Sequence, residues 1–147
     1  MSAENTKFSN IVAAIDGSVS SLNAARFAMS LAQKDGAELT LLSIIHTAVG
    51  LGHAGKQEEW HKNERIKIED LFHQIEQEAQ KKSVRCKENI IETHMSIDGA
   101  IVNFAEEHKA DLIIIGTSGM SELKKMLLGS VVTGVVSYAT CPVRVLK

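Results

Sequence analysis

Hydrophobic residues along this chain follow two patterns: short continuous apolar runs, and longer stretches with apolar residues at helical spacing. Continuous aliphatic and β-branched runs are typical of strands buried on both faces of a sheet. Apolar positions three or four residues apart are typical of a helix that packs one face on a core. The pattern predicts strands at 8–16, 37–46, 86–94, 111–116 and 141–147, alternating with helices at 18–36, 57–82, 97–110 and 130–139.

Two of the predicted helices carry a clear apolar face that should pack against the sheet. Ser18 is expected to cap the first helix, and Gly36 to end it. The second helix is long and charged, with a single apolar stripe. The core-facing positions are predicted to be Val19, Leu22, Ala25, Met29 and Ala32 in the first helix, and Ile68, Leu71, Phe72, Ile75 and Ala79 in the second.

The alternation of strands and helices predicts the fold class. Such chains form a mostly parallel sheet, and right-handed crossovers place helices on both of its faces. Pro142 lacks an N–H group and suits the start of a strand, particularly at an edge. We find no linker, repeat or low-complexity segment. We therefore expect one α/β domain, a three-layer sandwich, over residues 1–147.

Composition narrows the classes of partner. The chain has 147 residues, of which 44% are hydrophobic, enough for one ordinary core. Its net charge is −2, and charges of both signs are mixed, so we expect no nucleic-acid partner. The polar amino terminus is unlike a signal peptide, and no apolar run reaches the roughly 20 residues that span a bilayer. We expect a cytoplasmic protein that does not associate with membranes.

The cysteines and histidines do not predict a metal site. Cys86 and Cys141 match neither metal nor redox spacing, and we expect two reduced thiols. His46, His53 and His61 surround the predicted loop after the second strand, but their spacing matches no recognised site. We therefore predict no metal ligands in the chain.

Two features fall at the carboxyl ends of predicted strands, where open parallel sheets bind ligands. Asp16 follows the first strand, and Gly116 follows the fourth. If these two strands are neighbours in the sheet, both residues face one crevice. An ionised Asp16 is a hydrogen-bond acceptor only, so it suits a ribose hydroxyl or an adenine amino group better than a phosphate.

The segment GTSGMSELKKMLLGS, residues 116–130, follows the most hydrophobic strand. Gly116 and Gly119 permit close approach of the backbone to a ligand. Gly129 and Ser130 stand where a helix should start, and the unpaired N–H groups of a helix start attract anions. Alternatively, the glycines make an ordinary turn and Ser130 caps the helix. Their combination with Asp16 favours a ligand site.

A second glycine pattern competes with this site. Gly50, Gly52 and Gly55 form a literal G-x-G-x-x-G between a strand and a helix. The pattern follows the second strand, begins four residues after His46, and is not followed by an acid closing the next strand, as a dinucleotide site requires. We interpret it as a surface loop, and the chain contains no Walker P-loop.

The spacing Gly116-x2-Gly119-x9-Gly129-Ser130 resembles the signature of the ATP-binding branch of the universal stress protein family. The segments IVAAIDGS, LTLLSIIH, ADLIIIGTSG, LLGSVV and CPVRVLK extend the resemblance over the whole chain. The resemblance implies a five-stranded parallel sheet of order 3-2-1-4-5 with four helices, similar to the adenine nucleotide alpha hydrolases. It also implies a homodimer formed through the last strand, here Val143–Leu146.

The resemblance further implies a binding site for ATP, or for ADP or AMP, with or without Mg²⁺ on the phosphates. Asp16 would contact the nucleoside. The expected adenine pocket consists of Ala14, Ile44 and Ile115. The glycine loop and the helix start would hold ribose and phosphates, through Gly116, Gly119, Gly129, Ser130 and the backbone of Val131.

The residues around the glycine loop bear on enzyme activity. Glu122 is the only carboxylate near the loop, with Asp16 across the crevice, and no nucleophile–base set falls at strand ends. We therefore predict no catalytic residues and expect a dimeric regulatory protein of the stress response. The alternatives are a family member that binds proteins without nucleotide, and a slow ATP hydrolase.

Overall fold

The structure, a computed structural model, describes residues 7–47, 54–117 and 129–147. Strands and helices alternate along these residues, as the hydrophobic pattern predicts. The strands are β1 (Asn10–Ala14), β2 (Glu38–His46), β3 (Cys86–Thr93), β4 (Leu112–Gly116) and β5 (Val143–Leu146). The helices are α1 (Val19–Asp35), α2 (Ala54–Lys81), α3 (Ile97–Glu107) and α4 (Ser130–Tyr138).

The five strands form one parallel sheet in the order β3-β2-β1-β4-β5. In the centre, Ala13 of β1 lies between Leu41 of β2 and Ile114 of β4. The chain builds the sheet outward from β1, first towards β3 and then, after crossing back, towards β5. The predicted α/β class and strand order are both confirmed, and the point of reversal lies between β1 and β4.

Alternate residues of each strand face opposite helical layers. Ile11 and Ala13 pack with side chains of α1 and α2 in one hydrophobic cluster. Val12 and Ala14 pack with side chains of α3 and α4 in a second cluster on the other face. Because both faces are covered, the central strands are apolar at nearly every position. The result is the predicted three-layer sandwich.

Local signals in the sequence account for the bounds of α1. The Ser18 side chain accepts a hydrogen bond from the Ser21 N–H at 3.2 Å and caps the helix, as predicted. Gly36 ends it in the left-handed region with φ of +70°, which glycine adopts without steric cost. Val19, predicted to face the core, is 75% exposed. That prediction is wrong because the buried positions of this first turn are Ser20 and Ser21.

Helix α2 packs on the sheet through the predicted stripe, with Ile68, Phe72, Ile75 and Ala79 buried and Leu71 partly buried. Gly55 of the competing glycine pattern lies in the first turn of this helix, whereas Gly50 and Gly52 lie outside the described residues. Among the helices described, we find none whose length and apolar character would suit it to crossing a membrane.

Candidate functional site

The carboxyl ends of β1 and β4 bring Asp16 and Gly116 to the same edge of the sheet. Gly116 is the last residue of β4, and Asp16 follows β1 by two residues. Because β1 and β4 pair directly and in parallel, the features after them share one side of the molecule. This is the edge of the strand-order reversal, where doubly wound sheets bind ligands.

The turn between β1 and α1 holds Asp16 at the surface. Its Oδ1 accepts a hydrogen bond from the Ser18 N–H at 2.9 Å, and its own N–H donates to Ser21 Oγ at 3.3 Å. Gly17, between Asp16 and Ser18, has a φ of +88°, a conformation suited to glycine. The side chain of Asp16 remains exposed, so the turn orients an acceptor carboxylate towards solvent at the strand end.

Gly116 lies against the first turn of α1. A Cβ atom at this position would lie 2.6 Å from Ser20 Oγ and 2.7 Å from the Ser20 carbonyl carbon. Backbone atoms cannot retreat cheaply, so the packing of β4 on α1 itself requires glycine here. The next residue, Thr117, donates its N–H to the Leu146 carbonyl oxygen at 2.7 Å and continues the pairing with β5.

Helix α4 starts at the same edge with an unusual cap. Gly129 is the capping residue, with φ of −59° and ψ of 153° and no side-chain hydrogen bond. Ser130 is the first helical residue, so the alternative in which Ser130 caps the helix is wrong. The first N–H groups of α4 therefore receive no capping side chain from Gly129. A Cβ atom at Gly129 would lie 3.9 Å from the Thr117 oxygen, so this helix start adjoins the end of β4.

The apolar residues predicted for an adenine pocket share one face of the sheet. Ala14 and Ile115 are 8% and 5% exposed, and Ile44 is partly buried opposite Ile91. All three belong to the cluster on the α3 and α4 side, against which Val131 also packs. The edge thus combines an apolar wall with the Asp16 carboxylate and the N–H groups of α4. Gly119, like Ser118, Met120 and Glu122, lies outside the described residues.

Two residues at this edge were missed by the sequence reasoning. Asp98 lies in the first turn of α3, and Gly134 lies in the second turn of α4. A Cβ atom at Gly134 would overlap the Asp98 carboxylate and lie 2.7 Å from its Cβ. An isolated glycine inside an apolar helix was the signal that could have indicated a close contact.

A group of titratable residues lies away from this edge, between α2 and β3, beside surface cavities of about 460 and 310 Å³. Burial, helped by Glu76 and Glu88, raises the pKa of the Cys86 thiol to about 12. Burial and the adjacent Glu76 raise the pKa of Glu88. A thiol with a raised pKa stays protonated near neutral pH and is a poor nucleophile, so these groups do not suggest a reactive centre.

Two of the three histidines considered as metal ligands are described, and they lie on different elements. His46 ends β2 and is exposed, and His61 contacts the Trp60 ring edge to face, with centroids 5.1 Å apart. His53 lies outside the described residues. Within residues 7–47, 54–117 and 129–147, no group of three or more His, Cys, Asp or Glu side chains has the geometry to hold a metal ion.

Comparison with known proteins identifies the class that this fold and site define. The model of the universal stress protein family matches residues 7–147. The chain belongs to the universal stress protein family.

Individual relatives support this membership. A universal stress protein of Methanocaldococcus jannaschii is 38% identical over 149 aligned residues, which cover 95% of this chain and 82% of the relative. The structure of the universal stress protein UspA from Lactobacillus plantarum superposes with a TM-score of 0.90 at 25% identity, covering 97% of this chain and all of the other.

Some structural neighbours contain adenine nucleotides. A universal stress protein from Archaeoglobus fulgidus in complex with dAMP has a TM-score of 0.71 at 21% identity, with 97% and 100% of the chains covered. A different universal stress protein, in complex with cAMP, has a TM-score of 0.70 at 24% identity, with 97% and 98% of the chains covered. A member from Arabidopsis thaliana with AMP bound scores 0.68 at 14% identity with 95% and 91% covered. At these identities the likeness shows the common fold.

The two glycines at the crevice should differ in their tolerance of a methyl group. We expect Gly116→Ala to lower the free energy of unfolding by about 1–3 kcal/mol, because its Cβ overlaps the Ser20 backbone. Gly129→Ala should cost less than about 1 kcal/mol, because its φ is open to any residue and, among the described residues, its Cβ would meet only the Thr117 oxygen at 3.9 Å. Urea denaturation of both variants measures the difference. Equal costs would contradict the close packing of β4 on α1.

Proposed function

We propose that this universal stress protein binds an adenine nucleotide in the crevice between the ends of β1 and β4. The observation that carries the proposal is the start of α4, which adjoins Thr117 at the end of β4 and has glycine at its capping position, so that Gly129 offers its N–H groups no side-chain cap. The exposed Asp16 follows the neighbouring strand β1 at the same edge of the sheet. Such N–H groups, together with the helix dipole, favour an anion. The nucleotide-bearing structures of other family members support the same ligand class.

In this proposal each side of the crevice contacts a different part of the ligand. The adenine ring lies on the apolar surface of Ala14, Ile44 and Ile115, which share one hydrophobic cluster. Asp16, already oriented by Ser18, accepts a hydrogen bond from a ribose hydroxyl or from the adenine amino group. The backbones of Gly116, Gly119, Gly129, Ser130 and Val131 approach the ribose and phosphates.

We include ATP, ADP and AMP in the proposed ligand class. The chemistry of the crevice suits a phosphate, since backbone N–H groups are donors and the adjacent Ser130 hydroxyl is exposed at the helix start. Mg²⁺ would bind the phosphates of ATP with water and at most one or two carboxylates, as is usual for this ion.

We further propose that the protein has a regulatory role and not a catalytic one. Residues 1–147 would form one domain, and the protein would be located in the cytoplasm. Phosphoryl transfer needs a positioned nucleophile and charge neutralisation at the transferred group. Of the crevice residues that the structure describes, Asp16 supplies an acceptor and α4 supplies donors, which suffices for binding. Nucleotide occupancy would then alter the helix start and the loop surface offered to a partner.

Calorimetric titration tests the nucleotide proposal. We expect AMP or ATP to bind the wild type, and Asp16→Ala to weaken binding by about 10- to 100-fold, because a hydrogen bond to a charged acceptor is lost. Asp70→Ala, at an exposed position of α2, is the matched control and should leave the affinity unchanged. A wild type that binds no adenine nucleotide at millimolar concentration would refute the proposal.

We also propose that the protein is a homodimer formed through β5. Among the described strands, β5 pairs only with β4, and the sheet order places it at an edge. On the side of β4, the Pro142 carbonyl accepts the Ile113 N–H and the Leu146 carbonyl accepts the Thr117 N–H. Val143 and Val145 alternate with Pro142 and Leu146, so their N–H and C=O groups are directed outward. Unpaired edge groups of this kind can pair with a second copy.

Proline at the outward position tests the dimer. We expect Val145→Pro to yield monomers, since it removes an outward N–H while leaving the bonds to β4 in place. Val145→Thr keeps the N–H and a β-branched side chain and should remain dimeric. Light scattering after size exclusion gives the masses. Monomeric wild type, or dimeric Val145→Pro, would argue against pairing through β5.

A further inference from the structure

Helices α3 and α4 approach each other most closely where Gly134 passes Asp98. A Cβ atom at Gly134 would overlap the Asp98 carboxylate and lie 2.7 Å from the Asp98 Cβ. Contacts between real Cβ atoms and their neighbours are ordinarily 3.4 Å or longer. Any other residue at position 134 would therefore force the two helices apart by about 1 Å, given the close packing of protein interiors.

Asp98 is held in place by its own helix. It lies in the first turn of α3, directly after the Ser96 cap, whose Oγ accepts the Gly99 N–H at 3.2 Å. A carboxylate in the first turn is also stabilised by the helix dipole. Further along α3, Ile101 and Phe104 are buried in the cluster on this face of the sheet. The Asp98 Cβ therefore moves only with the backbone of α3, and it is the stop against which α4 rests.

The position of Gly134 links this stop to the start of α4. Gly134 lies four residues beyond Ser130, which is about 6 Å along the helix axis. The helix has nine residues and packs through Val132 and Val135, so a displacement at Gly134 moves its first turn as well. Hydrogen bonds lengthened by several tenths of an ångström are weakened or lost, and a binding site needs placement within about 0.5 Å.

We propose that Asp98 and Gly134 form a positioning pair that sets the first-turn N–H groups of α4 at the distance a nucleotide phosphate requires. This inference rests on the proposed nucleotide function and adds to it two residues outside the binding crevice. Neither residue touches the ligand. Their shape, and not the charge of Asp98, is what carries the effect.

The competing interpretation is that the contact serves stability alone. The two interpretations differ because alanine forms helices better than glycine. Under the positioning account, Gly134→Ala weakens nucleotide binding even though α4 keeps or gains helical content. Under the stability account, any loss follows from the fraction of unfolded protein and disappears under conditions where the variant is fully folded.

The test is an AMP titration of five variants, each checked for full folding by circular dichroism. We expect Gly134→Ala to weaken AMP binding by about 10- to 100-fold, through the lengthening of hydrogen bonds to a charged group. Asp98→Gly removes the stop, so the double variant Gly134→Ala with Asp98→Gly should bind within about threefold of Asp98→Gly alone. Asp98→Asn keeps the shape and should bind like the wild type. Ser137→Ala, exposed on the same helix, is the control for mutation in α4.

Amide chemical shifts of Ser130, Val131 and Val132, measured by NMR without nucleotide, give a second readout. Gly134→Ala should move these shifts, and the double variant should return them towards those of Asp98→Gly. The proposal is overturned if folded Gly134→Ala binds AMP like the wild type. It is also overturned if adding Asp98→Gly to Gly134→Ala leaves AMP binding as weak as in Gly134→Ala alone. If the wild type binds no AMP, the nucleotide function itself fails; unmoved shifts in Gly134→Ala would then also reject the positioning of α4.

Discussion

The parallel pairing of β1 with β4 is the constraint on which the candidate site depends. The two strands are far apart along the chain, yet Ile11, Val12 and Ala13 pair with Leu112, Ile113 and Ile114. The pairing brings the Asp16 turn, the end of β4 and the start of α4 to one edge. It also aligns alternate side chains, so that Ala14 and Ile115 reach the same face. Without it the proposed ligand contacts would lie on separate surfaces.

Close backbone contacts make this arrangement compact. Gly116 lets β4 lie against the Ser20 backbone of α1, and Gly134 lets α4 lie against Asp98 of α3. In both places the missing side chain is a requirement of packing between elements. Gly129 differs, because the described residues around it leave space for a Cβ and its φ is open to any residue. Its freedom from packing demands is consistent with a contribution to the proposed site through backbone approach to a ligand.

The sequence predicted the elements well because their signals are local. Apolar runs, the Ser18 cap and Gly36 identify β1, α1 and β2 through hydrogen bonds and burial within a few residues. The strand order came from the family signature, since periodicity alone does not say which parallel strands are neighbours. The match of the universal stress protein family model to residues 7–147 confirms the family resemblance, and the structure confirms the strand order.

The errors and omissions concern contacts between elements. Val19 has the spacing of a core residue, but it is Ser20 that packs against Gly116 at the end of β4, and Val19 is exposed. Serine is a residue type common at helix caps, yet Gly129, and not Ser130, occupies the capping position of α4. The contact of Asp98 with Gly134 depends on the crossing of two helices, which no local pattern encodes. These features follow from tertiary packing, so local sequence patterns do not predict them.

Hydrogen exchange with and without saturating AMP tests the central claim most directly. First-turn amides of a helix lack partners within it and exchange readily when free. The account predicts that AMP slows exchange in residues 130–132 and in the turn at residues 15–18, and leaves β3 and α2 unchanged. Protection confined to β3 and α2, or bound AMP with no slowing at the start of α4, would contradict it.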